Sequence, residues 1–281
     1  MTTPYMLGIL LALASAASWG AGDFSGGVAA RSRDQYQVVF LMTIPGIVML
    51  ALIAYAIGEP LPKVPDALWA TSAGLCGAFG IAFLYRGLSL GNAAVVAPVA
   101  AVVGAGLPVA YGSLLIGLPG IWKMLGFLTA IAGIWCVSRP MDGTSHLSSK
   151  GFSHALVAGS SFGAYFVLVG QVEQGLIFAP LVYAKAASLF VAVFVVFLRR
   201  DRLPALTASP LAIVAGVFDA GGNAFYMLAR QHVRLDVAAV LASMYPAVTV
   251  LLASLVTREK VGGFQWLGVV LCLAAIAMIS A

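Results

Sequence analysis

Ten long apolar runs follow one another along this chain, at residues 5–29, 36–57, 67–88, 93–117, 120–138, 152–172, 176–198, 210–230, 236–256 and 262–280, with only short breaks between them. An α-helix rises about 1.5 Å per residue, so about 20 apolar residues cross the roughly 30 Å hydrocarbon core of a bilayer. Backbone N–H and C=O groups in lipid have no water to bond, so each segment must satisfy them within itself, as a helix does. The alternative, a closed barrel, needs strands of about ten residues that alternate apolar and polar; these runs are longer and do not alternate. A water-soluble fold is excluded by charge: 9% of the chain is Asp, Glu, Lys or Arg, against about 25% in a soluble domain. The reading is an all-α integral membrane protein of ten transmembrane helices.

The net charge of +5 comes from basic residues in loops and at helix ends rather than from a basic run interleaved with aromatics, which argues against nucleic-acid binding. Cys76, Cys136 and Cys272 are scattered in apolar segments without metal-ligand spacing, and read as small packing residues. No metal site and no cofactor is expected. The first run lacks the basic region of a signal peptide, since no Lys or Arg precedes Arg31, and is read as a permanent helix.

The two halves of the chain resemble each other. Ser18-Trp19-Gly20-Ala21 matches Ser161-Phe162-Gly163-Ala164, and Gly74, Gly80, Ala82 and Phe83 match Gly216, Gly222, Ala224 and Phe225. Gly126 matches Gly268. The shared order and spacing mark an internal repeat. The polar stretch from Arg139 to Gly151 lies between the copies, giving a first repeat over 1–138, a linker over 139–151 and a second repeat over 152–281. Five crossings return a chain to the opposite side, so two five-helix repeats lie inverted in the membrane. That is a recurrent design of secondary transporters, with the substrate site near the midplane between repeats.

The residues that carry this pattern include Ser18-Trp19-Gly20, Tyr85-Arg86-Gly87-Leu88 followed by Asn92-Ala93-Ala94-Val95-Val96-Ala97-Pro98, and Leu235-Asp236-Val237-Ala238 through Ser243-Met244-Tyr245-Pro246 with Arg258-Glu259-Lys260. With them the whole chain resembles the drug/metabolite transporter superfamily, in particular its EamA-type members. The chain departs from that family in one loop. The segment before the last helix of each half usually carries a Gly-Glu-like pair; the second half has Glu259, but the first has Gly117-Leu118-Pro119 and no acid.

Orientation follows from the basic residues in the loops. Arg31, Arg33, Arg86, Arg139, Lys150, Arg199, Arg200, Arg202, Arg258 and Lys260 fall on one side, against Lys63, Lys123, Arg230 and Arg234 on the other. The first side is assigned to the cytoplasm, which puts both termini outside; the membrane is taken as the cell inner (plasma) membrane.

Ionisable residues inside spans are costly and mark function or a structural partner. Three stand out: Asp23, Lys185 and Asp219. Asp23, among glycines, reads either as a cavity carboxylate for a cation or proton, or as an interfacial residue near a helix end. Lys185 reads as an electropositive contact for a substrate carboxylate or phosphate, or as half of an ion pair. Asp219 and Asn223, four apart, share one helical face; that face lines a cavity or meets Lys185. Trp19, Tyr85, Tyr165, Tyr226 and Tyr245 combine an apolar face with a polar tip, which suits both a metabolite pocket and plain packing. Trp122 and Trp266 belong to the interfacial belt. Pro98, Pro108 and Pro246 interrupt spans, and Pro98 and Pro246, in the fourth and ninth helices, are candidate gate kinks.

The expected function is secondary transport of a small polar or amphipathic metabolite by alternating access. The family resemblance implies amino-acid-like or drug-like cargo and export, and both signs of charge in the spans suit a zwitterion. Proton coupling through Asp23 or Asp219 and uncoupled exchange both fit. The chain has no nucleotide-binding loop to drive transport with ATP. Its three histidines, His146, His154 and His232, lie in or near loops without a His-Glu-x-x-His pattern, so no catalytic residues are expected. A channel, or a receptor or assembly factor that transports nothing, are the alternatives. Oligomeric state is not legible.

Overall fold

The computed structural model describes residues 3–30, 32–89, 93–137, 149–256 and 262–280. Among them every regular element is helical. The helices are α1 (Thr3–Ala30), α2 (Gln35–Ala56), α3 (Val64–Ser89), α4 (Ala93–Ile116), α5 (Ile121–Val137), α6 (Ser149–Val169), α7 (Phe178–Leu198), α8 (Pro210–Arg230), α9 (Leu235–Ala242), α10 (Tyr245–Val256) and α11 (Gly263–Ser280), with a short 3-10 turn at Leu206–Ala208. Eight segments are long and apolar enough to cross a membrane, one of them, Leu235–Val256, running over both α9 and α10. Shorter apolar stretches at Ile121–Cys136 and Gly263–Ile279 fall below that length. The all-helical membrane class is established; ten full crossings are not.

Two expectations need correction. The ninth span is two helices. Pro246 has no N–H to give the carbonyl of Ala242, so the ladder ends there. Met244 N–H bonds Leu241 O at 3.2 Å, and Pro246 sits in the first turn of α10, where a missing donor costs nothing. The second correction is at the linker: α6 begins at Ser149, inside the stretch read as connecting segment. Pro45 and Pro108, by contrast, sit within unbroken helices.

Large apolar side chains such as Leu10, Leu52, Phe190, Phe194 and Leu273 point outward, while the interior is rich in alanine. In lipid there is no hydrophobic gain from hiding leucine, so close packing of small residues holds the helices together. Gly74 lies so near α7 that a Cβ there would come within 2.0 Å of Ala184 O. Gly216 meets α2 the same way, at 1.9 Å from Met42 O. Gly74 precedes Gly216 and Met42 precedes Ala184 by the same 142 positions. The two contacts are therefore one contact made twice.

The helix pairing repeats this exchange. α1 packs along α8 as α6 packs along α3, and α2 on α8 as α7 on α3. α2 with α7 and α5 with α11 pair across the pseudo-two-fold. The main contacts join one half to the other, so the halves interlock.

Candidate functional site

Three helices of the second half bring the predicted polar residues together. Ser209 and Pro210 start α8, the serine side chain accepting Ala212 N–H. The outward face of α8 carries Leu211, Val214, Val217, Phe218 and Phe225; Asp219 and Asn223 lie on the opposite face. Lys185 likewise lies opposite the outward Tyr183, Phe190 and Phe194 of α7. Tyr165 lies opposite Phe152 and Leu156 of α6.

Lys185 Nζ pairs with Asp219 Oδ2, with side chains only 11% and 20% exposed. Asn223 Nδ2 donates to the Asp219 carbonyl at 2.6 Å and faces Asp219 Oδ1 at 3.4 Å. Tyr165 donates its hydroxyl to Asn223 Oδ1. The result is a continuous chain from Lys185 through Asp219 and Asn223 to Tyr165. Lys185 is seven residues into α7, roughly 10 Å along its axis.

The first half supplies α1. Ser15 and Ser18 donate to the carbonyls of Gly222 and Phe218 at 2.7 and 2.6 Å, fixing α1 along α8. Gly222 lets the Trp19 ring lie against the α8 backbone, where a Cβ would come within 2.5 Å of the indole. Gly80 receives Phe162 in the same manner at 2.6 Å, the repeat-related contact. Trp19, Phe166 and Tyr226 form an aromatic cluster with centroids 4.9–6.2 Å apart. Tyr226 is fully buried and bonds Phe166 O at 3.2 Å.

Asp23 is one turn beyond Trp19 on the same inward face of α1, yet its surface is exposed. Its neighbour Gly22 meets α8, where a Cβ would come within 3.3 Å of Asp219 N. Toward the α8–α9 connection lie the aromatic cluster and α9, whose residues Val237–Ala242 are completely covered.

The α8–α9 end is fastened by groups the sequence reading did not single out. Asp236, fully buried, accepts from Arg234 Nε and Nη2 (3.1 and 2.8 Å), and Nη2 also donates to Gly117 O at 2.9 Å, tying α9 to the α4–α5 loop. The Asp236 carboxylate raises the pKa of the Arg234 guanidinium. Glu59 accepts from Ile177, Phe178 and Ala179 N–H at the start of α7. Lys63 pairs with Glu173 at 3.0 Å.

The chemistry is one-sided. By repeat position the counterparts of Lys185, Asp219, Asn223 and Tyr165 are Thr43, Gly77, Ile81 and Gly22. The polar chain belongs to the second half alone. Phe166 was also missed; its repeat counterpart is Asp23, so alignment of the halves hides it.

Tyr245 packs at the edge of the core, its carbonyl beside Gly20. Tyr85 and Pro98 lie outside the described side chains, and Glu259 outside the described residues. Among the described residues no three His, Cys, Asp or Glu side chains cluster to hold a metal ion.

The EamA-like transporter family matches this chain twice, over residues 6–139 and again over 149–281. The chain belongs to the EamA-like transporter family. The double match marks the two-repeat architecture of an EamA protein, and the family assigns it to membrane transporters of small solutes. An uncharacterized protein of Haemophilus influenzae is 27% identical over 159 residues, 55% of each chain. The matched stretch thus spans about half of that curated relative. A protein of known crystal structure, 18% identical, superposes with a TM-score of 0.77 over 96% of this chain and 95% of its own. That likeness is one of fold.

Proposed function

We propose that this EamA protein is a secondary transporter that moves a small zwitterionic or amphipathic metabolite, amino-acid-like or drug-like, outward across the cell inner membrane by alternating access. The observation that carries the reading is the Lys185–Asp219 pair with exposed Asp23 close by, since its neighbour Gly22 packs on the Asp219 backbone, and the Trp19–Phe166–Tyr226 cluster one turn away. A substrate carboxylate competes with Asp219 for Lys185, and a substrate ammonium takes a carboxylate of Asp219 or Asp23. Trp19 and Tyr165 supply apolar faces with hydrogen-bonding tips, while Tyr226, fully buried with its hydroxyl on Phe166 O, backs them rather than meeting the substrate.

The near-equivalence of the halves supports an inverted repeat with domains at 1–138 and 152–281. The same glycine contacts made twice give the two ends similar packing energies, so that opening at either end costs a similar amount. The arrangement closed at α9 and open toward the basic loops is then the inward-facing state, with both termini outside. Proton coupling through Asp23 or Asp219 is part of this reading. Pro246, at the break between α9 and α10, is a pivot for the closed end.

The test is counterflow. Proteoliposomes preloaded with pooled amino acids are challenged with labelled single ones. Saturable accumulation supports a carrier for that class, and its loss in Lys185→Ala and Asp219→Asn, each folded, supports the site. Flux that never saturates and shows no counterflow would instead favour a channel.

A further inference from the structure

A second feature lies on the outer surface, away from the polar chain. A groove of about 780 Å³, counting its open side, runs along α2 and is lined by Leu41, Pro45, Val48, Leu52, Leu206 and Ile213. From Leu41 to Leu52 it spans roughly 16 Å of helix, close to the ~15 Å hydrocarbon depth of one leaflet. Leu206 closes it at the α7–α8 connection. That connection is basic: Arg199, Arg200 and Arg202 follow one another with only Asp201 between.

Neighbouring bonds bring this loop to the groove. Gln37, one turn before Leu41 on α2, donates to Arg202 O at 3.0 Å. Arg33 donates to Ala208 O at 2.8 Å, holding the 3-10 turn that bears Leu206. Arg199 is occupied, paired with Asp34 at 3.2 Å and lying over the Tyr36 ring. Arg200 and Arg202 are exposed. A groove of one-leaflet length that ends at exposed arginines fits one kind of occupant. We propose that it holds an anionic phospholipid, with an acyl chain against Val48 and Pro45 and the phosphate at Arg200 and Arg202. Basic pockets beside membrane helices recognise lipid headgroups by this charge complementarity, and anionic lipids populate the cytoplasmic leaflet.

The experiment is native mass spectrometry of the full chain in detergent, equilibrated with equal amounts of dioleoyl phosphatidylglycerol and dioleoyl phosphatidylcholine. Wild type should retain phosphatidylglycerol about fivefold over phosphatidylcholine. Arg200→Gln with Arg202→Gln should bring the two near parity. Val48→Trp, which fills the groove, should reduce both lipids. Lys63→Gln, at the opposite end, should change neither. Equal retention in wild type, an unchanged preference in the arginine variant, or the same loss in Lys63→Gln would each overturn the proposal.

Discussion

At the scale of single residues, the deciding fact is that Lys185 and Asp219 compensate each other where neither is well hydrated. Removing one partner of a fully buried pair costs about 3–5 kcal/mol, whereas replacing both is often near neutral; the cost is less here, where both side chains keep some exposure. Lys185→Met should therefore lower the thermal unfolding midpoint in detergent more than Lys185→Met combined with Asp219→Asn. Both variants should lose counterflow. A double variant no more stable than the single one would mean that the pair is not a coupled unit. The presence of Asp23, Lys185 and Asp219 was legible, because a charge inside an apolar run is conspicuous. A Lys185–Asp219 pair was one of the two readings the sequence offered; choosing it needed the approach of α7 to α8, a packing that no local pattern encodes. Asp236 was missed for the opposite reason. It stands beside Arg234 at a span boundary and reads as an ordinary surface charge, yet it is fully buried.

At the scale of elements, the helix ends and glycine contacts carry the argument. α2 ends with Gly58 at φ 67°, and Glu59 N–H bonds Ala54 O while Gly58 N–H bonds Tyr55 O. This left-handed glycine closure turns the chain so that the Glu59 carboxylate reaches the free N–H groups of α7. Removing the acceptor in Glu59→Ala should cost about 1–2 kcal/mol, in the range of a lost helix cap, and should speed amide exchange at Ile177–Ala179 with little change in α8. Unchanged exchange there would show that the cap is not limiting. Gly216→Ala and Gly74→Ala place a methyl against backbone oxygen, which cannot rotate away. Each should destabilise the protein by about 1–3 kcal/mol or more, as overpacking does. Gly27→Ala has open space within 4 Å and should gain up to ~1 kcal/mol of helix propensity. Thermal unfolding of the three variants distinguishes them; equal shifts would mean that helix propensity alone sets the outcome. The repeat made these glycines visible in sequence as pairs, but not which helix each one meets.

At the scale of the whole molecule, the proposed inward-facing state makes Asp23 reachable from one end. In a background lacking the three native cysteines, Asp23→Cys should react with a membrane-impermeant thiol reagent from the side of the α1–α2 loop and be protected from the other side. Labelling at equal rates from both faces would contradict the closed aromatic end formed by Trp19, Phe166 and Tyr226. Saturating substrate should slow labelling several-fold if it occupies the same space.

By itself the sequence determined the solvent, the class and the repeat. Apolar run length against bilayer thickness requires helices, and recurrence of glycines at a fixed offset requires two related halves; both are one-dimensional properties of the chain. Even the break of the ninth span at Pro246 was implicit in a missing N–H. Tertiary structure decided the rest. It interlocked the halves, put the polar chain on one side of a nearly symmetric frame and closed one end with Asp236 and Phe166. The reason is physical. Helix packing in lipid is governed by close approach of small residues across distant segments, and those approaches depend on three-dimensional fit rather than on any local periodicity.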